Sequence, residues 1–188
     1  GGCKTVSSEP IIIGDKKFEV DITSFDMEAI YKTKLSGFKK EALVIETTDF
    51  GIEGLPCIKA DLKQDKYDAY LAIIPGEFLA NIYKKYNSRL LEDNVRSFLY
   101  FRGGINKGIR GTILNEKNNF FAFNNGISAT ASEISIEYKP GSGNLITKLT
   151  DFQIINGGQT TASLAATSIK DKADLSGIYV QMKLTIVK

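Results

Sequence analysis

The four arginines of the chain lie within one short stretch of sequence, and arginine is the side chain best suited to binding phosphate. They are Arg89, Arg96, Arg102 and Arg110, and Lys84, Lys85 and Lys107 accompany them. A guanidinium group makes planar, bidentate contacts with phosphate or carboxylate, so the stretch predicts a region that faces an anion. The structural alternative is that the arginine stems pack on the surface and form salt bridges with nearby acids such as Glu92.

The spacing of these cations predicts which of them lie on the same helix face. Arg89 and Arg96 are seven residues apart, or two helical turns, so on one helix they project from the same face. Lys107 and Arg110 belong to the next predicted helix and would face them across an electropositive groove.

A glycine turn supplies a second candidate for phosphate binding. Residues 152–170 are predicted to form a strand, a turn at Gly157 and Gly158, and an alanine-rich helix. Such a turn directs backbone N–H groups and the positive end of the helix dipole at one point, and Thr160 can cap the helix or donate a hydroxyl. Many purely structural turns also contain glycine, and the sequence has neither a P-loop nor a Rossmann glycine pattern.

Uncharged amide side chains accumulate in the turns of the chain. They are Asn94, Asn106, Asn124, Asn125, Asn156 and Gln159. An amide offers a donor and an acceptor, which suits either holding loops together or reading nucleobase edges. The Asn124-Asn125-Gly126 triplet is typical of a hairpin turn, and we expect Gly126 at positive φ, close to the turn at 156–159.

Several kinds of chemistry are excluded or disfavoured. The sequence contains no histidine, so imidazole cannot act as a base or metal ligand in this segment. Cys3 and Cys57 have no second cysteine or histidine nearby, so no zinc spacing occurs, and we expect both thiols unpaired in a reducing compartment. No apolar run is long enough to span a bilayer. We therefore expect a cytoplasmic protein with no membrane partner and no cofactor.

One carboxylate pattern would support an enzyme. Asp61 and Lys63 fit the D-x-K half of a metal-dependent nuclease motif, with a further ligand upstream at Glu46, Asp49 or Glu53. The same triplet arises by chance in lysine-rich chains. A metal-dependent nuclease and a non-catalytic scaffold domain both remain alternatives.

Both helices and strands are needed to position these residues. The predicted fold class is α+β, with a mixed, mostly antiparallel sheet and helices, ending in the strand, glycine turn, helix element and a last β-like run. In the N-terminal part we predict a strand at 18–22 and a helix opened by Thr23 or Ser24. The other predicted strands are 42–45, 67–74, 120–123, 127–131, 134–138, 145–149, 152–155 and 178–187. The other predicted helices start near 77, 90, 105 and 160.

The organisation along the chain follows from these elements. Residues 1–60 are predicted to form an N-terminal strand-helix-strand part, and residues 61–188 the core. The loop at 47–56, with Gly51, Gly54 and Pro56, is the candidate flexible segment. Because the chain stops at the end of the strand-like run 178–187, we expect a piece of a longer protein.

Four short blocks carry a resemblance to a known family. They are RLLEDNVR at 89–96, NKGI at 106–109, FFAFNNGI at 120–127 and IINGGQTT at 154–161. In order and spacing they resemble the signature blocks of the AIPR family, named for abortive infection phage resistance. The resemblance implies a cytoplasmic, bacterial defence protein and carries over no catalytic residue.

The last block alone is similar to the strand, Asp-Gly-x-Arg, helix element of ParB and sulfiredoxin-like domains, which hold nucleotide phosphate there. This chain has Gln159 and Thr160 in place of the basic residue. Phosphate binding would therefore need Arg89, Arg96 or Lys107 to fold over the turn.

The sequence thus predicts a phage-defence domain that binds nucleic acid or nucleotide phosphate through the arginine stretch and the amide and glycine turns. The predicted ligand-binding residues are Arg89, Asn94, Arg96, Asn106, Lys107, Arg110, Asn124, Asn125, Gly126, Asn156, Gly157, Gly158, Gln159 and Thr160.

Overall fold

The computed structural model describes residues 4–7, 11–13, 16–18, 21–24, 42–63, 65–91 and 106–187. The chain divides into two units, residues 1–41 and 42–188. In the first unit β1 (Lys4–Ser7) pairs antiparallel with β4 (Asp21–Ser24), and β2 (Ile11–Ile13) pairs antiparallel with β3 (Lys16–Phe18). The helix expected after Thr23 or Ser24 lies outside the described residues.

The second unit is built on one eight-stranded sheet. Its strands are β5 (Val44–Glu46), β6 (Leu55–Lys59), β7 (Tyr67–Pro75), β8 (Ile127–Ala131), β9 (Glu133–Lys139), β10 (Gly143–Thr150), β11 (Gln153–Asn156) and β12 (Tyr179–Val187). The order is β11-β8-β12-β7-β6-β10-β5, with β9 paired to β10. The β12–β8 pair is parallel and the other pairs are antiparallel. The predicted α+β class with a mixed, mostly antiparallel sheet is confirmed.

The described helices are α1 (Gly76–Tyr86), α2 (Lys107–Asn115), α3 (Phe120–Phe123) and α4 (Gly158–Lys170). Short 3-10 helices occupy Thr47–Phe50, Asn87–Leu90 and Lys117–Asn119. On α1 the apolar residues Phe78, Leu79 and Ile82 recur at helical spacing and are buried. Helices α1 and α2 both contact α4, which makes α4 the centre of the helical layer.

The core lies between these helices and one face of the sheet. Cys57, Ala72, Met182 and Ile127 are paired neighbours on β6, β7, β12 and β8, and all four are buried. They belong to one apolar cluster with the buried faces of α1 and α4. Cys57 is a free thiol, and burial raises its pKa. Cys3 lies outside the described residues.

The predicted strand at 120–123 is wrong, because these residues form helix α3. A four-residue apolar run is too short for its periodicity to separate a strand from a helix. Here Phe120 is buried, whereas Phe121 is 45% exposed and Phe123 is 64% exposed. The turn at 124–126 therefore joins a helix to β8, so the predicted hairpin is also wrong.

Other local predictions are confirmed. Strands β9 and β10 pair as the second predicted hairpin, around 139–143. The strand, glycine turn, helix element is β11, Gly157 and α4, and the chain continues after it into β12, between β7 and β8. The helix predicted to start near residue 105 is α2. Of the helix predicted from Leu90, only Leu90 and Leu91 are described, in a 3-10 turn and in a bridge to Ile154.

The expected flexible loop at 47–56 contacts the core in the structure. Thr47 is buried and donates its hydroxyl to the Thr147 carbonyl oxygen at 3.1 Å. Phe50 packs edge-on against Phe78, with ring centroids 5.4 Å apart. The last two residues of the predicted loop, Leu55 and Pro56, belong to strand β6.

Candidate ligand-binding site

The N-terminus of α4 has no side-chain cap. Gly157 occupies the cap position at a φ of 87°, a conformation that favours glycine. The backbone N–H of Gly157 donates to its neighbour's Oδ1, on Asn156, at 2.7 Å. The N–H of Thr161 donates to the Gly157 carbonyl oxygen at 3.1 Å, which begins the helical ladder. The N–H groups of residues 158–160 therefore have no acceptor within the helix.

The two amide-glycine turns pack against each other through their backbones. A Cβ atom at position 157 would lie 2.8 Å from the Gly126 carbonyl oxygen, and one at position 126 would collide with the Gln181 carbonyl oxygen. Gly126 has a φ of 76°. Both the predicted positive φ of Gly126 and the predicted closeness of the two turns are confirmed.

Side chains reinforce this contact. The Asn124 amide donates to the Thr160 hydroxyl oxygen at 3.1 Å, and Asn124 Oδ1 accepts from the Gly126 N–H at 2.9 Å. Thr160 is buried. Asn124 is therefore held in one orientation by both turns.

A second helix N-terminus meets the first. Asn106 caps α2, because its Oδ1 accepts from the N–H groups of Gly108 at 3.0 Å and Ile109 at 3.2 Å. The other end of the same amide donates to Gln159 Oε1 at 3.1 Å, and the Asn106 N–H donates to the hydroxyl of Ser163 at 3.3 Å. The positive ends of two helix dipoles therefore converge, which favours an anion there.

A cavity of about 250 Å³ lies beside this junction. Its lining contains two amides, two phenylalanines and part of the first turns of α2: Asn106, Gly108, Ile109, Thr112, Phe120, Phe123 and Asn124. Phe123 is the exposed ring of the set. An exposed aromatic face next to amide N–H donors is the chemistry that stacks a nucleobase and contacts its edge.

Arg110 lies away from the amide side chains at the two turns. Arg110 donates from Nε and Nη2 to the two carboxylate oxygens of Asp171, at 2.9 and 2.5 Å. These hydrogen bonds lower the pKa of Asp171 and raise the pKa of Arg110. Asp171 follows the last residue of α4, so Arg110 is bound about 20 Å along the helix from Gly157.

The other predicted cations have varied surroundings. Lys107 is exposed at the start of α2 and forms no ion pair within the part of the chain that the structure describes. Arg89 lies in the 3-10 helix Asn87–Leu90. Asn94, Arg96 and Arg102 lie outside the described residues.

The structure thus brings together Asn106, Asn124, Gly126, Asn156, Gly157, Gly158, Gln159 and Thr160. Asn125 lines a different cavity, on the sheet, where its carbonyl oxygen accepts from the Gln181 amide at 3.2 Å. Sequence reasoning missed Phe123 and Ser163. Phe123 was hidden by the wrong strand prediction, although an aromatic next to an Asn-Asn-Gly turn could have drawn attention to it.

The carboxylates considered for a nuclease are dispersed over the surface. Glu46 pairs with Lys148, Asp49 with Lys85 and Glu53 with Lys139. Asp61 lies in the loop between β6 and β7. Within the described residues, no group of three or more cysteine, aspartate or glutamate side chains could hold a metal ion.

Comparison with known proteins places the site within a family. The family model described as AIPR protein matches residues 91–188, just over half of the chain. The chain belongs to the AIPR family. The match includes both helix N-termini and both turns, and it identifies an abortive-infection, phage-defence domain. No curated protein and no solved structure matches the chain. None of the described helices of this AIPR protein is long and apolar enough to cross a membrane.

Proposed function

We propose that this AIPR domain binds a nucleotide or nucleic acid where the N-termini of α2 and α4 meet. The observation that carries the proposal is the hydrogen bond between Asn106 and Gln159, which holds two helix N-termini together beside the cavity. In an abortive-infection protein, such a site would bind a nucleotide or nucleic acid that signals infection or that the defence response acts on.

The phosphate would bind at the uncapped start of α4. The first-turn N–H groups there have no helical acceptor, and the dipoles of both helices add positive potential. Lys107, exposed at the start of α2, adds a cation that is not neutralised by any described residue. These features replace the basic residue that the glycine turn itself lacks.

The base would occupy the adjacent cavity. Phe123 offers an exposed ring for stacking. Asn106 and Asn124, whose Oδ1 atoms each already accept two hydrogen bonds, offer side-chain N–H donors for the base edge. A volume of about 250 Å³ suits one base. A single base read beside a phosphate fits a nucleotide or one residue of a single strand, and does not fit a duplex.

The arginine stretch keeps a narrower role in this proposal. Arg110 is bound to Asp171 and is assigned to the structure of the helical layer. Arg89, Arg96 and Asn94 stay proposed phosphate or base contacts from the segment that precedes α2.

A scaffold function is the second candidate, and one observation favours it. Asn124 and Thr160 bond to each other, so part of the amide group at the turns is satisfied within the chain. On this reading the amides only lock the two turns together.

Two neighbouring phenylalanines allow a matched test. Phe123 lines the cavity, whereas Phe121 is an exposed ring of the same helix that does not. In a fluorescence-anisotropy titration with labelled single-stranded RNA and DNA, Phe123→Ala should weaken binding by about 1 to 3 kcal/mol, the usual worth of one stacked base. Phe121→Ala should leave it unchanged. Equal affinities of wild type and both variants would favour the scaffold.

A further inference from the structure

The sheet carries an apolar surface on the side opposite the row of buried residues described above. Ile58, Leu71, Lys183 and Ser128 are paired neighbours across β6, β7, β12 and β8, one position along from the buried row. Successive side chains of a strand point to opposite faces, so these four share the other face. Ile58 is 72% exposed and Leu71 is 60% exposed.

This surface is concave rather than flat. A cleft of about 640 Å³ lies over these four strands and β10, a volume within the range of small-molecule sites. Ile73 and its paired neighbour Gln181 continue the floor by one more row. Leu71 lies on β7, an inner strand with a partner on each side, where an apolar side chain is ordinarily covered.

The groove contains little charge. Among the described residues that line it, Lys183 is the one that carries a charge. Lys183 has no ion-pair partner within the described ranges of the chain. The other polar groups are uncharged and include Asn125, Asn144 and Gln181. A ligand that complements the groove therefore has an apolar body and one negative charge.

We propose that this groove binds a small amphipathic anion, with its apolar body on Ile58, Leu71 and Ile73 and its charged group at Lys183. A carboxylate, sulfonate or phosphate ester on an aliphatic or aromatic body has this chemistry. The groove is a separate cavity from the proposed nucleotide site, because none of its described lining residues lines the cavity beside α2.

One wall of the groove is preformed. The Gln181 amide donates to the Asn125 carbonyl oxygen at 3.2 Å, and the backbone of Gly126 packs directly on Gln181. A ligand would not have to order this wall on binding, which lowers the entropic cost.

Two fluorescent probes with the same aromatic body isolate the role of the charge. They are 8-anilinonaphthalene-1-sulfonate, a monoanion, and N-phenyl-1-naphthylamine, which is neutral. Both should give saturable titrations with the wild-type chain. Lys183→Gln should weaken binding of the sulfonate by about fivefold, the upper range for a partly hydrated ion pair, and leave binding of the neutral probe unchanged.

Two further variants locate the binding. Leu71→Asn should weaken binding of both probes, because it makes the apolar floor polar. Lys63→Gln, which removes an exposed loop lysine outside the groove, should change neither. Thermal unfolding of each variant shows that it remains folded. Absence of saturable binding, or sulfonate binding that is insensitive to both Lys183→Gln and Leu71→Asn, would overturn the proposal.

Discussion

Asn106 and Gln159 form a hydrogen bond of 3.1 Å that joins the N-cap residue of α2 to the first turn of α4. The same Asn106 side chain caps α2 through its oxygen. One side chain therefore caps the start of α2 and also holds the start of α4 in place. Substitutions of Asn106 can separate its effect on stability from its effect on ligand binding.

Substitution of Asn106 should separate these two roles. Asp is as good an N-cap as Asn, so Asn106→Asp should keep the stability of α2 within about 0.5 kcal/mol, whereas Asn106→Ala should cost about 1 kcal/mol. Asp cannot donate to Gln159 and adds a negative charge, so it should abolish anion binding. Urea unfolding and anisotropy titrations measure the two effects. Retained binding in Asn106→Asp would contradict the proposed site.

Gly126 should not tolerate substitution, for a steric reason. Gly126 and Gly141 both have positive φ. A Cβ atom added at Gly126 would collide with the backbone of Gln181, whereas one added at Gly141 would lie in open space. Gly141→Ala should cost about 1 kcal/mol, the conformational penalty alone. Gly126→Ala should cost at least about 3 kcal/mol, since the turn must also move off Gln181. Equal losses in urea unfolding would show that the turns do not pack as described.

The cations should differ in their effect on the salt dependence of binding. Lys107→Gln should flatten the slope of log affinity against log salt concentration by about 0.7 to 0.9, the contribution of one phosphate contact. Arg110→Ala should leave the slope unchanged and slightly lower the melting temperature, because Arg110 is bound to Asp171. A flattened slope in Arg110→Ala would show that Arg110 contacts phosphate and would contradict its assignment to the helical layer.

Acid should weaken the contacts at the C-terminal end of α4. Hydrogen bonds from Arg110 lower the pKa of Asp171 below its ordinary 3.8, and those from Lys117 and Ser176 hold the pKa of Asp174 far below it. A depressed folded-state pKa means stability that is present above pH 3.8 and lost as pH falls through the folded value. Unfolding measured from pH 5 downward should therefore show a smaller acid loss in Asp171→Asn, Asp174→Asn than in wild type.

The strands and long helices could be predicted because their apolar residues repeat over many positions. Buried residues recur at every second position over residues 70–75 and 179–184, and Gly76–Tyr86 has a helical stripe. The run at 120–123 is too short for either period, so its state depends on tertiary packing. The central position of β12 also follows from packing alone.

The candidate site was only partly predictable for a similar reason. The amide and glycine turns were recognised because their residue types require special backbone conformations. The partner of each side chain depends on how α2 packs on α4, which local sequence does not encode. Arg110 shows the consequence: it lies among arginines in sequence and pairs in space with Asp171, 61 positions away.

Amide chemical shifts measured during a titration with adenosine monophosphate test the central claim most directly. The backbone amides of Gly158, Gln159 and Thr160 and the side-chain amide of Asn106 should shift saturably, while the turn glycines Gly141 and Gly177 stay in place. The shifts should disappear in Asn106→Asp. Saturable shifts confined to other parts of the chain, or none at all with this nucleotide and with single-stranded RNA, would contradict a ligand site at the junction of the two helices.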